Sequence, residues 1–370
     1  MELDWIELIG YRCYPEARVE PAPGVNVFVG DNGSGKTSLL EAIGYLASLG
    51  SFRHSPDTSL IRSSEEAAVI RGEFVAGERK LRVEVEIPEE GRRRVLVNGK
   101  RPASRDEVVS AVPLVTFLPD DLDLVKRGPS YRRDYLDDLS AGLWPSAGAE
   151  RSDYERALRQ RNSLLRREGR HADQPTLDVW DERLTHLGAR VIRRRLDLLD
   201  RLEPRLAAIY ADLGEEAEPL DVGYESGALG PLRRSGEDGI EERLTTALAE
   251  AREGDMERRV TTVGPHRDEV VILISDRDLR TRASQGEQRT VSLGLRVAAY
   301  ELLREEKGAT PMLILDDVFS ELDPGRSRRL VEKLPDGQIF VSTAREEEVP
   351  LVGTRWSVID GAISVREEDS

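Results

Sequence analysis

Apolar residues recur along this chain in two rhythms, and the change from one to the other divides it. Leu81-Arg82-Val83-Glu84-Val85-Glu86-Ile87 alternates strictly, as a strand with one face on a core does, and Asn98-Gly99 is the residue pair of a tight turn. Val25-Asn26-Val27-Phe28-Val29 and Pro311-Met312-Leu313-Ile314-Leu315 are short apolar runs, the pattern of buried strands. Between these strand-rich ends the spacing becomes three and four: Leu158, Leu165, Leu177, Trp180, Leu184, Leu187, Val191, then Leu199, Leu202, Leu206, Ile209 and Leu213. Polar residues from Gly169 to Pro175 interrupt it, which predicts two packed helices joined by a loop. That break sets the segment apart from the uninterrupted heptads of a long coiled-coil arm. Residues 214 to 239, rich in Gly, Glu and Pro, read as a mobile connection; Ile240 to Ala251 is helical again, and Arg366 to Ser370 reads as a frayed tail.

Composition narrows the setting. With 370 residues, 39% of them hydrophobic, the chain can bury one large core or two smaller ones. Cys13 is the only cysteine, so no disulfide forms within the chain, and a lone thiol reads as a core residue. The start Met1-Glu2-Leu3-Asp4-Trp5 is acidic where a secretory signal is basic, and no apolar stretch approaches the roughly 18 residues of a membrane span. A cytoplasmic protein without a membrane partner is expected.

Candidate chemistry begins at Gly30-Asp31-Asn32-Gly33-Ser34-Gly35-Lys36-Thr37, which fits Gly-x-x-x-x-Gly-Lys-[Ser/Thr] between the apolar run at 25–29 and the helical pattern opened by Thr37-Ser38-Leu39-Leu40. Backbone N–H groups from Gly33 to Lys36 can curl around an anion there, aided by the positive end of the helix dipole. In that reading Lys36 reaches the β- and γ-phosphates of ATP and the Thr37 hydroxyl holds Mg²⁺. Asp316 and Asp317 end the second buried run, at the strand edge where open α/β sheets place ligands. Successive strand residues point to opposite sides, so Asp316 is expected to face the metal and Asp317 the attacking water.

Ser284-Gln285-Gly286-Glu287-Gln288-Arg289, leading into a helical run, resembles the signature motif of ATP-binding-cassette proteins, in which that helix end contacts the γ-phosphate bound to the other subunit. The resemblance adds Ser284, Gly286 and Gln288 to the nucleotide-binding set and implies an ATP-dependent homodimer. Phe319-Ser320-Glu321-Leu322-Asp323 resembles the D-loop of the same superfamily. Joined with Gly264-Pro265-His266-Arg267-Asp268, Leu8-Ile9-Gly10-Tyr11-Arg12, Phe117-Leu118-Pro119-Asp120-Asp121-Leu122 and Arg159-Gln160-Arg161-Asn162, these motifs are similar to the RecF family of bacterial recombinational-repair ATPases. The family resemblance implies an α/β fold: an ABC-type P-loop ATPase head built from both chain ends (residues 1–125 and 256–370) carrying an inserted α-helical lobe (126–255). It further implies a dimeric clamp on double-stranded DNA and single-strand/duplex junctions at gapped or stalled replication DNA, and recombinase loading through a RecR-type mediator.

Departures from the pattern shape the expected activity. Asp317 stands where the wider superfamily carries Glu, one methylene longer, which predicts slow hydrolysis. No histidine follows Gln338-Ile339-Phe340-Val341-Ser342, leaving Thr343 as candidate for the γ-phosphate switch position, and no Gln-loop glutamine follows Val115-Thr116-Phe117. A net charge of −16 opposes DNA unless cations gather locally. The clusters available are Lys126, Arg127, Arg132 and Arg133; Arg156, Arg159, Arg161, Arg166, Arg167 and Arg170; and Arg193 to Arg195. A transporter ATPase subunit and an ATP-binding architectural clamp without turnover are the alternatives.

Overall fold

The computed structural model describes residues 1–53, 55–213, 218–232, 239–334 and 337–366. Two compact units divide the chain: Met1–Asp121 with Ala299–Ser370, and Leu122–Ala298.

In the first unit two sheets share one core. The antiparallel sheet runs in the order Tyr14–Val19, Glu2–Tyr11, Ala67–Ala76, Arg79–Pro88, Arg94–Val97. The alternation at 81–87 appears as expected: Val83, Val85 and Ile87 are buried while Arg82 and Glu86 face solvent. The second sheet has six strands in the order Ala362–Val365, Thr354–Ile359, Val25–Val29, Ile339–Thr343, Met312–Asp316, Leu114–Phe117, parallel except for the 354–359/362–365 hairpin. Helix Lys36–Ser48 buries Leu39, Leu40, Ile43, Tyr45 and Leu46 in a single cluster with residues of both sheets. A helix apolar on nearly all sides is explained by that double contact. Register then fixes the site: Val29 pairs with Thr343 and Asp316 with Ser342, so three parallel strands end level.

The second unit contains the expected pair of helices, Ala147–Glu168 and Gln174–Leu213, joined by the 3₁₀ turn Gly169–His171. Helices Pro129–Leu143 and Ile240–Arg258 pack in the same unit. Within the stretch read as a mobile connection, Leu220–Ser226 and Gly230–Leu232 form a hairpin in a four-stranded antiparallel sheet with Glu269–Ile274 and Arg277–Asp278. Residues 214–217 and 233–238 of that stretch, and 367–370 of the tail, lie outside the described residues. The hairpin explains why the units divide elsewhere than at 255/256: Glu269–Ile274 is hydrogen-bonded along its length to 220–225, so residues 256–298 belong with the helical unit.

The Arg clusters divide: Lys126, Arg127, Arg156, Arg159, Arg166, Arg167, Arg170 and Arg193 are exposed, while Arg132, Arg161 and Arg195 are buried. Arg161 is fully buried between Asp181 (2.6 Å) and Asp255 (2.7 Å). Arg195 pairs bidentately with Asp137, both contacts 2.8 Å, and Arg132 is bound to Glu269 at 2.9 Å. Arg133 is half-buried, donating to the Asp268 carbonyl at 2.6 Å. Arg132, Arg161 and Arg195 are therefore not free DNA contacts, contrary to the reading of their runs: each lies on an inward face, paired with Glu269, with Asp181 and Asp255, and with Asp137 respectively.

Candidate nucleotide site

The loop at 30–37 is shaped by its neighbours. Gly35 has φ 117°, and a Cβ there would lie 2.7 Å from both Cys13 Sγ and the Tyr14 hydroxyl, so only glycine fits. Tyr14 also donates its hydroxyl proton to the Gly35 carbonyl at 2.9 Å. Helix Lys36–Ser48 follows at once, with no side-chain cap and no acidic residue in its first turn. Its leading N–H groups stay available to an anion.

Lys36 is buried, and its Nζ donates to the Gly30 carbonyl at 2.7 Å and the Asp31 carbonyl at 2.9 Å. Burial lowers its pKa, opposed by the charges of Asp317, Asp316 and Asp31. The Ser34 hydroxyl is buried with no hydrogen-bond partner among the described residues, and Asp31, Asn32 and Gly33 are exposed. An orphaned hydroxyl, a cation held only by carbonyls and an uncapped helix start are together a cradle that fits a polyphosphate.

Across the strand ends, Asp316 Oδ1 accepts from Thr37 Oγ1 at 2.9 Å and from Ser342 Oγ at 2.5 Å. Burial raises the Asp316 pKa, while these two hydroxyls and the charges of Arg53 and Lys36 lower it. The donor set fits Mg²⁺, which takes one or two carboxylate or hydroxyl ligands and completes its shell with phosphate and water. Among the described residues no group of three or more His, Cys, Asp or Glu could hold a metal alone.

Asp317 departs from simple strand alternation. The strand ends at Asp316, and Asp317 turns into the left-handed region with φ 51°, held by N–H donation to the Ser342 carbonyl (3.1 Å) and Ser342 Oγ (3.0 Å). Its carboxyl pKa is raised, by burial first. A carboxylate set off the strand and shifted upward is suited to accept a proton from water.

Ser342 is the residue that reading the sequence missed, because nothing in a Val-Ser-Thr strand end marks a hydroxyl bridging two aspartates. Thr343, the candidate for the switch position, has its hydroxyl closed into a turn, donating to the Arg345 carbonyl at 2.9 Å and accepting from Arg345 N–H at 3.0 Å.

The signature segment belongs to the other unit. Ser284 and Glu287 form a capping box, Glu287 N–H donating to Ser284 Oγ at 3.2 Å and Ser284 N–H to Glu287 Oε2 at 2.6 Å. Ser284 is exposed and Gly286 half-buried. Gln288 is buried, its carboxamide donating to the Leu279 and Arg280 carbonyls at 3.0 and 3.2 Å. It fastens the signature helix to the preceding turn.

Residues 2–360 match the RecF/RecN/SMC N terminal domain. The DNA replication and repair protein RecF of Streptomyces avermitilis is 41% identical over 373 residues, covering 98% of this chain and 99% of that protein. The chain belongs to the RecF family. RecF of Kineococcus radiotolerans is 40% identical over 372 residues, covering 95% of this chain and 94% of that one. A solved structure of the recombination mediator protein RecF with ATP, in the RecFOR pathway, is 32% identical with a TM-score of 0.92, covering 99% of this chain and 97% of that one. An Smc head bound to the C-winged helix domain of ScpA, 17% identical with a TM-score of 0.56, shares the fold alone. The expected ABC-type ATPase head is borne out, and RecF membership removes the transporter alternative. Among the described residues no helix is long and apolar enough to cross a membrane.

Proposed function

We propose that this protein is an ATP-dependent DNA clamp of recombinational repair, acting in the cytoplasm at gapped or stalled replication DNA. The observation that carries the reading is the level ending of three strands, which gathers Lys36, Thr37, Asp316 and Asp317 beside an uncapped helix start. Likeness to a RecF solved with ATP supports it. Gly30 to Thr37 hold the phosphates, with Lys36 facing the β- and γ-groups. Thr37 and Asp316 hold Mg²⁺, which when bound supplies neutralisation of phosphate charge. Asp317 accepts the proton of the attacking water, slowly, because its side chain is short. Ser284 and Gly286 meet the nucleotide of a second copy, so ATP drives homodimerisation and hydrolysis reverses it. The dimer holds duplex DNA near single-strand junctions and works with a RecR-type mediator to load recombinase.

Asp317→Asn tests the assignment. Phosphate release should fall by about 10²-fold or more, the usual worth of a general base. The ATP-dependent dimer should last longer in sedimentation, since the state that binds nucleotide is no longer discharged. Wild-type phosphate release would remove Asp317 from the mechanism.

A further inference from the structure

The Gly264-Pro265-His266-Arg267-Asp268 turn is braced at four of its five residues. A Cβ on Gly264 would lie 2.4 Å from the Tyr154 hydroxyl, so helix Ala147–Glu168 leaves room only for glycine. Pro265 offers its carbonyl to buried Arg195 at 2.8 Å. His266 Nε2 lies 3.1 Å from the Thr261 carbonyl, which can only accept, so Nε2 carries the proton and Nδ1 accepts from the Tyr154 hydroxyl at 2.6 Å. Asp268 is buried, accepting from the Tyr224 hydroxyl at 2.8 Å. Arg267 is the exception: it is exposed, and its guanidinium makes no hydrogen bond or ion pair with any described residue.

Arg133 stands close by. It donates one N–H to the Asp268 carbonyl and has no carboxylate bonded to it among the described residues. Burial, and after it the charges of Arg267 and Arg133, hold His266 down to about 4, so the imidazole is neutral. Burial and the charge of Arg195 likewise lower the Arg133 pKa, opposed by the charges of Asp134 and Glu269. Two guanidiniums thus share a neighbourhood with a neutral imidazole and no bonded counter-ion, while Arg132, Arg161 and Arg195 in the same unit all have theirs.

We propose that Arg267, presented on this turn near Arg133, is a contact for a phosphodiester of duplex DNA. The inference rests on the DNA-clamp reading above and names the surface that reading lacked. A phosphodiester carries its charge on oxygens that a planar guanidinium fork can meet in pairs, and a rigid turn presents that fork with little ordering cost. A backbone contact of this kind positions duplex without reading its sequence.

Fluorescence anisotropy of the full-length protein with ATP, Mg²⁺ and labelled duplexes of unrelated sequence tests it. Arg267→Ala should weaken every duplex about tenfold and lower the salt slope by about 0.9 log units per phosphate lost. Over a fourfold rise in salt, the variant should lose about threefold less affinity per phosphate than the wild type. Arg267→Lys should recover the slope, which a merely misfolded variant would not. ATP affinity and melting temperature should be unchanged in both. Wild-type affinity and slope in Arg267→Ala would overturn the inference and leave the clamp reading standing. Loss of binding to the mediator protein with duplex binding intact would overturn it in favour of an acidic protein partner. Absence of duplex binding by the wild type itself would overturn the clamp reading and this inference together.

Discussion

Lys36 in the head and Arg161 in the helical unit are both buried cations, yet their surroundings have little in common. Lys36 is held by two loop carbonyls and no bonded carboxylate, beside an orphaned Ser34 hydroxyl. Arg161 lies between two carboxylates and the Thr261 hydroxyl at 2.9 Å. Carbonyls satisfy donors without cancelling charge, so the head keeps a positive centre that gains from an incoming anion. Carboxylates cancel charge, so the charge of Arg161 is already met, although its Nη2 is buried with no hydrogen-bond partner among the described residues. The contrast separates a site from a scaffold where residue type alone does not.

The sharpest way to break this comparison is to truncate both cations. Arg161→Ala leaves Asp255, itself fully buried, without its charge partner, and should cost about 3–5 kcal/mol of stability. Lys36→Ala removes a cation that balances no bonded carboxylate, so stability should barely move while ATP affinity falls by about 10²-fold or more. Differential scanning calorimetry and equilibrium dialysis on both variants give the two readouts. Equal destabilisation by the two would erase the distinction.

A second test uses the neutral imidazole of the helical unit. His266 is held at about 4 by burial, against the 6.5 it has in an unfolded chain. Between those values the unfolded state binds the extra proton, so its contribution is full above pH 6.5, fades as pH falls, and is gone below about 4. That difference is about 3 kcal/mol at most. Chemical denaturation across this range should show the helical unit weakening, and His266→Gln should flatten that component. A slope unchanged by the substitution would mean the imidazole is not buried neutral.

Much of the head was legible because its site is assembled from motifs that carry their own geometry. A glycine loop between a strand and a helix, and a pair of aspartates at a strand end, imply where they lie before any fold is known. Helices Ala147–Glu168 and Gln174–Leu213 were legible for a similar reason, since a polar break in a three-four repeat marks a turn. The arginines of the helical unit were not. Arg161 and Arg195 look like members of basic runs, and only pairing with Asp255, Asp181 and Asp137, remote in sequence, turns them inward. The hairpin at 220–232 hid for another reason: its partner strand lies beyond helix Ile240–Arg258, so local composition read as a linker.

The smallest effect probes Ser342, where the head does contain a satisfied polar group. Its hydroxyl donates to Asp316 Oδ1 and accepts from Asp317 N–H, tying the metal ligand to the proposed base through one atom. Ser342→Ala removes both bonds without changing the strand, and Thr37 still holds Asp316. The loss should be about tenfold in turnover, comparable to one hydrogen bond to a charged group. Ser342 lowers the Asp316 pKa, so its removal moves that pKa further up. Ionised Asp316 is the form that binds metal, and the acid limb of the turnover profile should therefore move to higher pH. Ser342→Thr keeps the hydroxyl and should restore both rate and limb. A rate loss with no movement of the limb would show that Ser342 only packs the strand end, and the head would then rely on Thr37 alone to orient Asp316.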